Sequence, residues 1–234
     1  MTPTAQPRDH HHETTQDPIS ALEQASGVLS LLAALGLISL AGLLWRRNPI
    51  WLAPLGAACT GLAGVLWIFR NPERRAPDGA GLVIAPADGE ITSIAQIHEP
   101  RFLHAAAHQL TIRTHPGEVQ ITRAPVSGTV RYRRYQPAGQ ADQRDDALCM
   151  GIRQPNGDRL LVSLTASSFW RMLPSYAGRR ITCLPDLEDA VRQGQVIGHL
   201  PLGGLVNVYL PGTALVTVTQ GQQVRAGETV LAQR

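Results

Sequence analysis

The chain has 234 residues, a formal net charge of +3 and 21 basic residues, every one of them arginine. With no lysine it cannot form a Schiff base through a side-chain amine, carry pyridoxal phosphate, or be biotinylated or lipoylated. Three scattered cysteines, Cys59, Cys149 and Cys183, exclude a disulfide framework or zinc knuckle and fit a reduced, cytosol-facing protein.

Residues 1–23 are polar and rich in Pro, Thr, Asp and His, the composition of a disordered tail. His10, His11 and His12 read there as solvated side chains. Residues 24–69 read as a two-helix membrane hairpin. Segments 24–45 and 48–69 carry no charge, and each reaches the about 20 residues a helix needs to cross a bilayer core. Pro49, after Arg46-Arg47-Asn48, breaks the helix and makes the turn. Small residues four apart, at Gly56, Thr60 and Gly64 and at Ser26, Ser30 and Ala34, predict the contact between the helices. Trp45, Trp51 and Trp67 sit near segment ends, where interfacial aromatics belong. Arg70, Arg74 and Arg75 at the exit outnumber Arg46 and Arg47 in the turn, which predicts a cell-membrane protein with its soluble domain on the cytoplasmic face.

Residues 70–234 form a mildly basic soluble part, with 18 arginines against 14 carboxylates. That balance beside a membrane suits phospholipid head groups. Dispersed arginines and an aromatic content of 5% argue against nucleic acid as a partner. Short β-branched runs bounded by Gly, Pro or Asp predict strands at 82–84, 89–94, 109–113, 128–132, 159–164, 179–183, 205–210 and 214–219. Helices are expected at 101–108 and 167–173. Pro86-Ala87-Asp88-Gly89 and Pro125-Val126-Ser127-Gly128 echo each other as two similar hairpin starts. Around Gly194 and Gly227 two further turns share a V-x-x-G pattern, similar to those of barrel-sandwich hybrid domains.

Four blocks and one strand carry a family resemblance. Phe69-Arg70-Asn71-Pro72-Glu73-Arg74 is similar to F-F-R-D-P-x-R, and Ala85-Pro86-Ala87-Asp88-Gly89 to S-P-A-D-G. Residues 116–128, P-G-E-V-Q-I-T-R-A-P-V-S-G, track P-F-D-V-H-V-N-R-A-P-V-S-G, and residues 177–183 track an A-R-R-I-V-C block. Residues 202–211, L-G-G-L-V-N-V-Y-L-P, resemble F-G-S-R-V-D-V-Y-L-P. In this order they resemble the short-type phosphatidylserine decarboxylases. The resemblance implies a mainly β domain of that type, a role in phospholipid biosynthesis, and no external cofactor. In that family a serine attacks the carbonyl of the glycine before it, the chain splits, and a self-derived pyruvoyl group on the new N-terminus acts as electron sink for decarboxylation, with an Asp and a His moving protons.

The resemblance places these roles at Asp88, which is kept, at Gln120 where the histidine is expected, and at Gly203 followed by Gly204 where the serine is expected. Leu205, Asn207 and Glu118 also depart from the pattern. Gly128-Thr129 and Gly212-Thr213 are the Gly-Thr pairs of the chain, and neither stands at the cleavage position. His115 and His199, near the altered motifs, read as surface histidines, as do His104 and His108; no metal site is expected. Arg123, Arg179 and Arg180 are read either as phosphate contacts or as structural ion pairs. The expected protein therefore keeps the scaffold, lacks self-cleavage, and binds lipid or a partner, with a homo-oligomer or pairing with an active paralogue as further options. An active carboxy-lyase and a membrane-tethered barrel-sandwich adaptor are the alternatives.

Overall fold

A computed structural model describes residues 19–46, 48–68, 70–77, 79, 81–136, 146–167, 181–200 and 202–234. The polar tail through residue 18, the predicted helix at 167–173 beyond Ser167, and Arg179 and Arg180 lie outside the described residues.

Helix α1 (Ile19–Arg46) and helix α2 (Leu52–Ile68) are joined through a 3-10 turn at Pro49–Trp51. Asn48 starts that turn: its side-chain oxygen accepts the Ile50 N–H at 3.0 Å, and Pro49 follows where no donor is needed. The helices pack antiparallel. Leu32 lies against Gly61, Gly36 against Ala58 and Gly42 against Trp51. This differs from the expected contact. Gly56 and Gly64 face open space, and the Thr60 and Ser30 hydroxyls bond carbonyls of their own helices. Glycine allows close approach only where a neighbour fills the space, and here that happens at Gly36, Gly42 and Gly61. Pro49–Trp67, 19 residues at a mean hydropathy of 1.6, is long and apolar enough to cross a membrane, whereas the apolar stretch Leu29–Trp45 is shorter.

The rest is mainly β. Its strands are β1 (Leu82–Ile84), β2 (Gly89–Glu99), β3 (Ala105–Thr114), β4 (Ile121–Arg123), β5 (Gly128–Gln136), β6 (Ala147–Arg153) and β7 (Arg159–Ala166). They continue with β8 (Thr182–Cys183), β9 (Ala190–Val191), β10 (Val196–His199), β11 (Gly204–Pro211), β12 (Leu215–Val216), β13 (Gln223–Val224) and β14 (Val230–Gln233). A curled antiparallel sheet of eight runs β13-β2-β3-β11-β7-β6-β5-β9, with two three-stranded sheets, β1-β14-β12 and β4-β10-β8, beside it. Alternate residues such as Leu110 and Ile112, Val206 and Val208, and Leu160 and Val162 point into one main core. The opposite face carries a small cluster of Phe102, Cys149, Leu161 and Tyr209.

The predicted helix at 101–108 is instead a tight turn leading into β3. The buried Glu99 carboxylate accepts the N–H groups of Arg101, Phe102 and Leu103, which ties the chain into a turn before a helix can start. Ala105–Thr114 then pairs along β2.

The sequence echo corresponds to a structural duplication. Gly89 faces the Arg113 carbonyl and the Ile112 side chain; Gly128 faces the Arg153 carbonyl and the Ile152 side chain. Both strands bulge at the same offset, between Ile91 and Ser93 and between Val130 and Tyr132. Each unit is clasped by one of the glycine turns. Gly227 N–H donates to the Ala85 carbonyl at 2.8 Å, and Gly194 N–H to the Ala124 carbonyl at 2.9 Å. Bonds between the units are reciprocal: Ile84 N–H to the Pro125 carbonyl, and Arg123 N–H to the Pro86 carbonyl. This is a pseudo-twofold pair of interlocked units. Gly194 and Gly227 take φ of 80° and 81°, the left-handed conformation their turns require.

Candidate functional site

Strand β11 starts at Gly204, paired with Thr114 of β3 on one side and Ala166 of β7 on the other. The chain reaches it through three left-handed residues: Leu202 (φ 58°), Gly203 (φ 76°) and Gly204 (φ 153°). Gly203 is fixed at both ends. Its N–H donates to the Gln120 Oε1 at 2.7 Å, and its carbonyl accepts the Ser167 N–H at 3.2 Å. A Cβ at 203 would lie 2.2 Å from the Thr114 carbonyl oxygen, and one at 204 would lie 2.1 Å from that of Thr165. The backbone is therefore shaped for two glycines.

Gln120, 3% exposed, uses both ends of its amide. Its Nε2 donates toward the carbonyls of Pro116, His115 and Glu118, the last at 2.7 Å, while Oε1 holds Gly203. Glu118 closes the same turn by accepting the His115 N–H. A neutral imidazole, with one donor and one acceptor, could not serve this set of partners.

Asp88 faces elsewhere. Its carboxylate is spanned by the Arg74 guanidinium at 2.5 and 2.7 Å and accepts the Ala226 N–H at 2.7 Å. Only its backbone carbonyl turns toward β11, accepting the Thr114 hydroxyl at 2.8 Å. The structure thus brings Gln120, Gly203 and Gly204 together, and commits the Asp88 side chain to Arg74.

Beside Gly204 a cleft of about 320 Å³ is lined by Arg113, Thr114, His115, Pro116, Thr165, Ala166, Ser167, Leu202, Gly204 and Leu205. Arg113, His115 and the hydroxyl-bearing side chains make it suited to an anionic group. Arg113, Thr165 and Ser167 belong to no motif legible in the sequence, because they reach the cleft from β3 and from the end of β7, some fifty residues apart in the chain. Asn207 lies on β11 away from this cleft, its Oδ1 accepting from the Thr111 hydroxyl and the Gln109 amide.

The expectations of a surface His199 and of helical spacing between His104 and His108 are corrected. His199 is not a surface residue: it is 8% exposed on β10, and burial pushes its pKa below the ordinary histidine value. His115 is exposed. His104 has a φ of 53° and His108 lies in β3, so the two lack helical spacing. Thr213 lies beyond the opposite end of β11, some 20–30 Å from Gly204 at strand spacing. Arg123 acts as a strut. It donates to the carbonyls of Gly194 and Pro72 and to the Asn71 side chain, tying the segment that leaves α2 onto the β-domain. Among the described residues no group of His, Cys, Asp or Glu is placed to hold a metal ion.

A β-domain of interlocked glycine-turn units, with a cleft at the Gly-Gly start of a central strand, is the class defined so far. Comparison with known proteins gives the family. Residues 62–232 match the family model for phosphatidylserine decarboxylase. A phosphatidylserine decarboxylase proenzyme of Symbiobacterium thermophilum is 36% identical over 185 residues, 76% of this chain and 82% of that protein. Those of Salinibacter ruber and Chlorobium phaeovibrioides are each 32% identical, over 81% and 87% of this chain and 85% and 93% of theirs. This chain belongs to the phosphatidylserine decarboxylase family.

The residues present do not fit a self-derived pyruvoyl group. Gly204 has no side-chain oxygen to give, and the space a Cβ would need is taken by the Thr165 carbonyl.

Proposed function

We propose that this chain is a membrane-anchored member of the phosphatidylserine decarboxylase family that neither cleaves itself nor decarboxylates, and is retained to bind phospholipid. The observation that carries this reading is the Gly203–Gly204 backbone, left-handed at both residues, with no hydroxyl at 204. An acyl shift needs an oxygen on the residue after the scissile carbonyl, and the Gln120 amide in the proton-relay position does not titrate near neutral pH. The interlocked turn units are read as a variant of the barrel-sandwich hybrid fold, a scaffold kept for packing while its polar, proton-moving positions are lost.

The apolar side chains that α1 and α2 expose, among them Leu31, Leu37, Leu44, Trp45 and Trp67, support a bilayer location. In this reading both helices cross the membrane and the β-domain lies on the cytoplasmic face, alone, as a homo-oligomer or beside an active paralogue. Its cleft, with Arg113 and His115, takes the anionic part of a lipid head group.

The test is a turnover and binding assay with the purified full-length protein in phospholipid vesicles. Retention of phosphatidylserine with no release of CO2 is the expected outcome; steady conversion to phosphatidylethanolamine would overturn the reading.

A further inference from the structure

The duplication makes the two ends of the large sheet comparable. Strand β2 corresponds to β5, β3 to β6 and β13 to β9, so the sheet reads alike from either end. The outer neighbour covers only the start of each long edge strand. β13 pairs with Gly89 and Glu90, and β9 with Gly128 and Thr129. One more set of bonds matches. Gly221 N–H donates to the Ile91 carbonyl and Ile91 N–H to that of Gln222; Glu188 N–H donates to the Val130 carbonyl and Val130 N–H to that of Asp189. Counting on from Ile91 and Val130, Thr92 corresponds to Arg131, Ile94 to Arg133 and Ala95 to Arg134.

Beyond that point the two edges differ. β5 is guarded. Arg131 and Arg133 form ion pairs with Glu188 and Asp186, and Arg133 also donates to the Cys183 carbonyl at 3.4 Å, which holds segment 183–188 along the edge. Arg134 adds an exposed charge. Charges along an edge strand oppose pairing with another chain. β2 has no such guard. Gln220 Nε2 donates to the Thr92 carbonyl at 2.9 Å. From Ser93 to Glu99, no group among the described residues bonds the backbone on the side away from β3. Segment 91–98 contains no Arg, Asp, Glu or Pro. Glu99 is buried, and its charge is met by Arg101 and by the N–H groups of its own turn. Ser93, Gln96 and His98 are exposed.

About 23 Å of strand edge thus presents alternate N–H and C=O groups outward in a row. Another strand fits that row. An antiparallel copy of the same stretch would satisfy it with about six hydrogen bonds.

We propose that the free edge of β2 joins a second copy of this chain, the two β2 strands pairing antiparallel about a twofold axis at Gln96. Ile94 then lies opposite the second copy's His98, and Ala95 opposite its Ile97, so no like charges are opposed. A twofold contact uses both edges and closes at the dimer. Pairing of this length buries less than the about 1,200 Å² of a standard interface, so the dimer is weak in solution and gains from tethering in one plane. Such a pair is the homo-oligomer considered above; its shared membrane plane rests on that reading, and the edge itself does not.

The experiment is disulfide trapping in the full-length protein carrying Cys59→Ala, which removes the exposed native thiol. Gln96→Cys, Ala95→Cys and Arg134→Cys are oxidised with copper phenanthroline, in non-ionic detergent and in phospholipid vesicles. Gln96→Cys, or Ala95→Cys for an axis one residue along, should give a dimer band in detergent that strengthens in vesicles. Arg134→Cys, on the guarded strand, should give none. Capture between differently tagged copies is the second measurement. Gln96→Arg should capture itself about fivefold less than the parent does, and Gln96→Glu should restore capture by Gln96→Arg. Gln96 is exposed, so both changes leave the packing intact. No dimer from either β2 cysteine, equal trapping by Arg134→Cys, or no rescue by opposite charges would overturn the proposal. A detergent dimer that vesicles do not strengthen would uphold the edge and count against the membrane location alone.

Discussion

Asp88 and Ser127 occupy equivalent positions in the two interlocked units, and each uses a side-chain oxygen to cap the opposing glycine turn. Asp88 Oδ1 accepts the Ala226 N–H at 2.7 Å, and Ser127 Oγ accepts the Gln193 N–H at 2.9 Å. Asp88 thus has a structural duty that needs only a hydroxyl, plus a second duty to Arg74 that needs a carboxylate. The two can be separated. Asp88→Ser should keep the cap and lose the ion pair, whereas Asp88→Ala loses both.

With the Arg74 side chain only 8% exposed, removing its partner strands a buried charge, and Asp88→Ala should cost about 3–5 kcal/mol. Asp88→Ser combined with Arg74→Met, which removes both charges, should recover much of the loss. Chemical denaturation of the detergent-solubilised protein reads both. Equal stability of Asp88→Ala and the parent would mean that the Arg74 bridge contributes nothing.

Gln120 is the next case. Gln120→Ala leaves the Gly203 N–H and the carbonyls of the 115–118 turn without their partner, a loss of about 2–3 kcal/mol. Gln120→His should be little better, since one ring cannot serve both sides. Thermal unfolding of the two variants checks this. Full stability of the histidine variant would show that the amide is dispensable.

From sequence alone, Gly204→Ser with Gln120→His is expected to restore processing in some molecules. The structure opposes it: a side chain at 204 meets the Thr165 carbonyl, and φ of 153° strains any L residue. Gly204→Ser should lower stability by about 1–3 kcal/mol and leave the chain uncut, alone or with Gln120→His. A C-terminal fragment on a denaturing gel would count against this.

His199 gives a pH signature. Burial holds its folded-state pKa below the unfolded value of about 6.5, so the native state favours the neutral ring. Above that pH neither state binds the proton and stability is unaffected. As pH falls below it, the unfolded chain takes up a proton that the native ring resists, and stability declines until the lowered pKa is reached. His199→Gln should flatten this part of the acid limb in denaturation curves collected from pH 7 downward. An unchanged limb would assign it to other groups.

In the hairpin, a Cβ at Gly42 would lie 2.5 Å from the Trp51 ring, while Gly56 faces open space. Gly42→Val should loosen the helix pair by about 1–3 kcal/mol and Gly56→Val should not. Disulfide trapping between cysteines placed at 36 and 58 measures the difference. Equal trapping in both variants would contradict the packing described.

Much of the fold was legible because Gly, Pro and Asp punctuate it. Strand β1 falls where its apolar run predicts, and β2, β5, β7 and β11 begin at or beside the predicted residue. Strand β6, A-L-C-M-G-I-R, was missed, since only one of its residues is β-branched and its burial on both faces removes the alternation. The predicted helix at 101–108 is instead a turn running into β3, because the Glu99 cap has no local signature. Within the site, Gly204 and Gln120 were legible as departures from a pattern, whereas the commitment of Asp88 to Arg74 was not. That pairing depends on how the segment leaving α2 lies across the β-domain, and no periodicity encodes it. The helix contact was misplaced for a similar reason: several small-residue rows compete, and helix rotation decides among them.

The central claim is that no polypeptide bond breaks at Gly203–Gly204. Intact-mass spectrometry of the freshly purified full-length protein, before and after borohydride treatment, tests it most directly. A single species at the full 25.3 kDa, unchanged by borohydride, is expected. Two polypeptides divided after Gly203, the shorter gaining hydrogen on reduction, would contradict it.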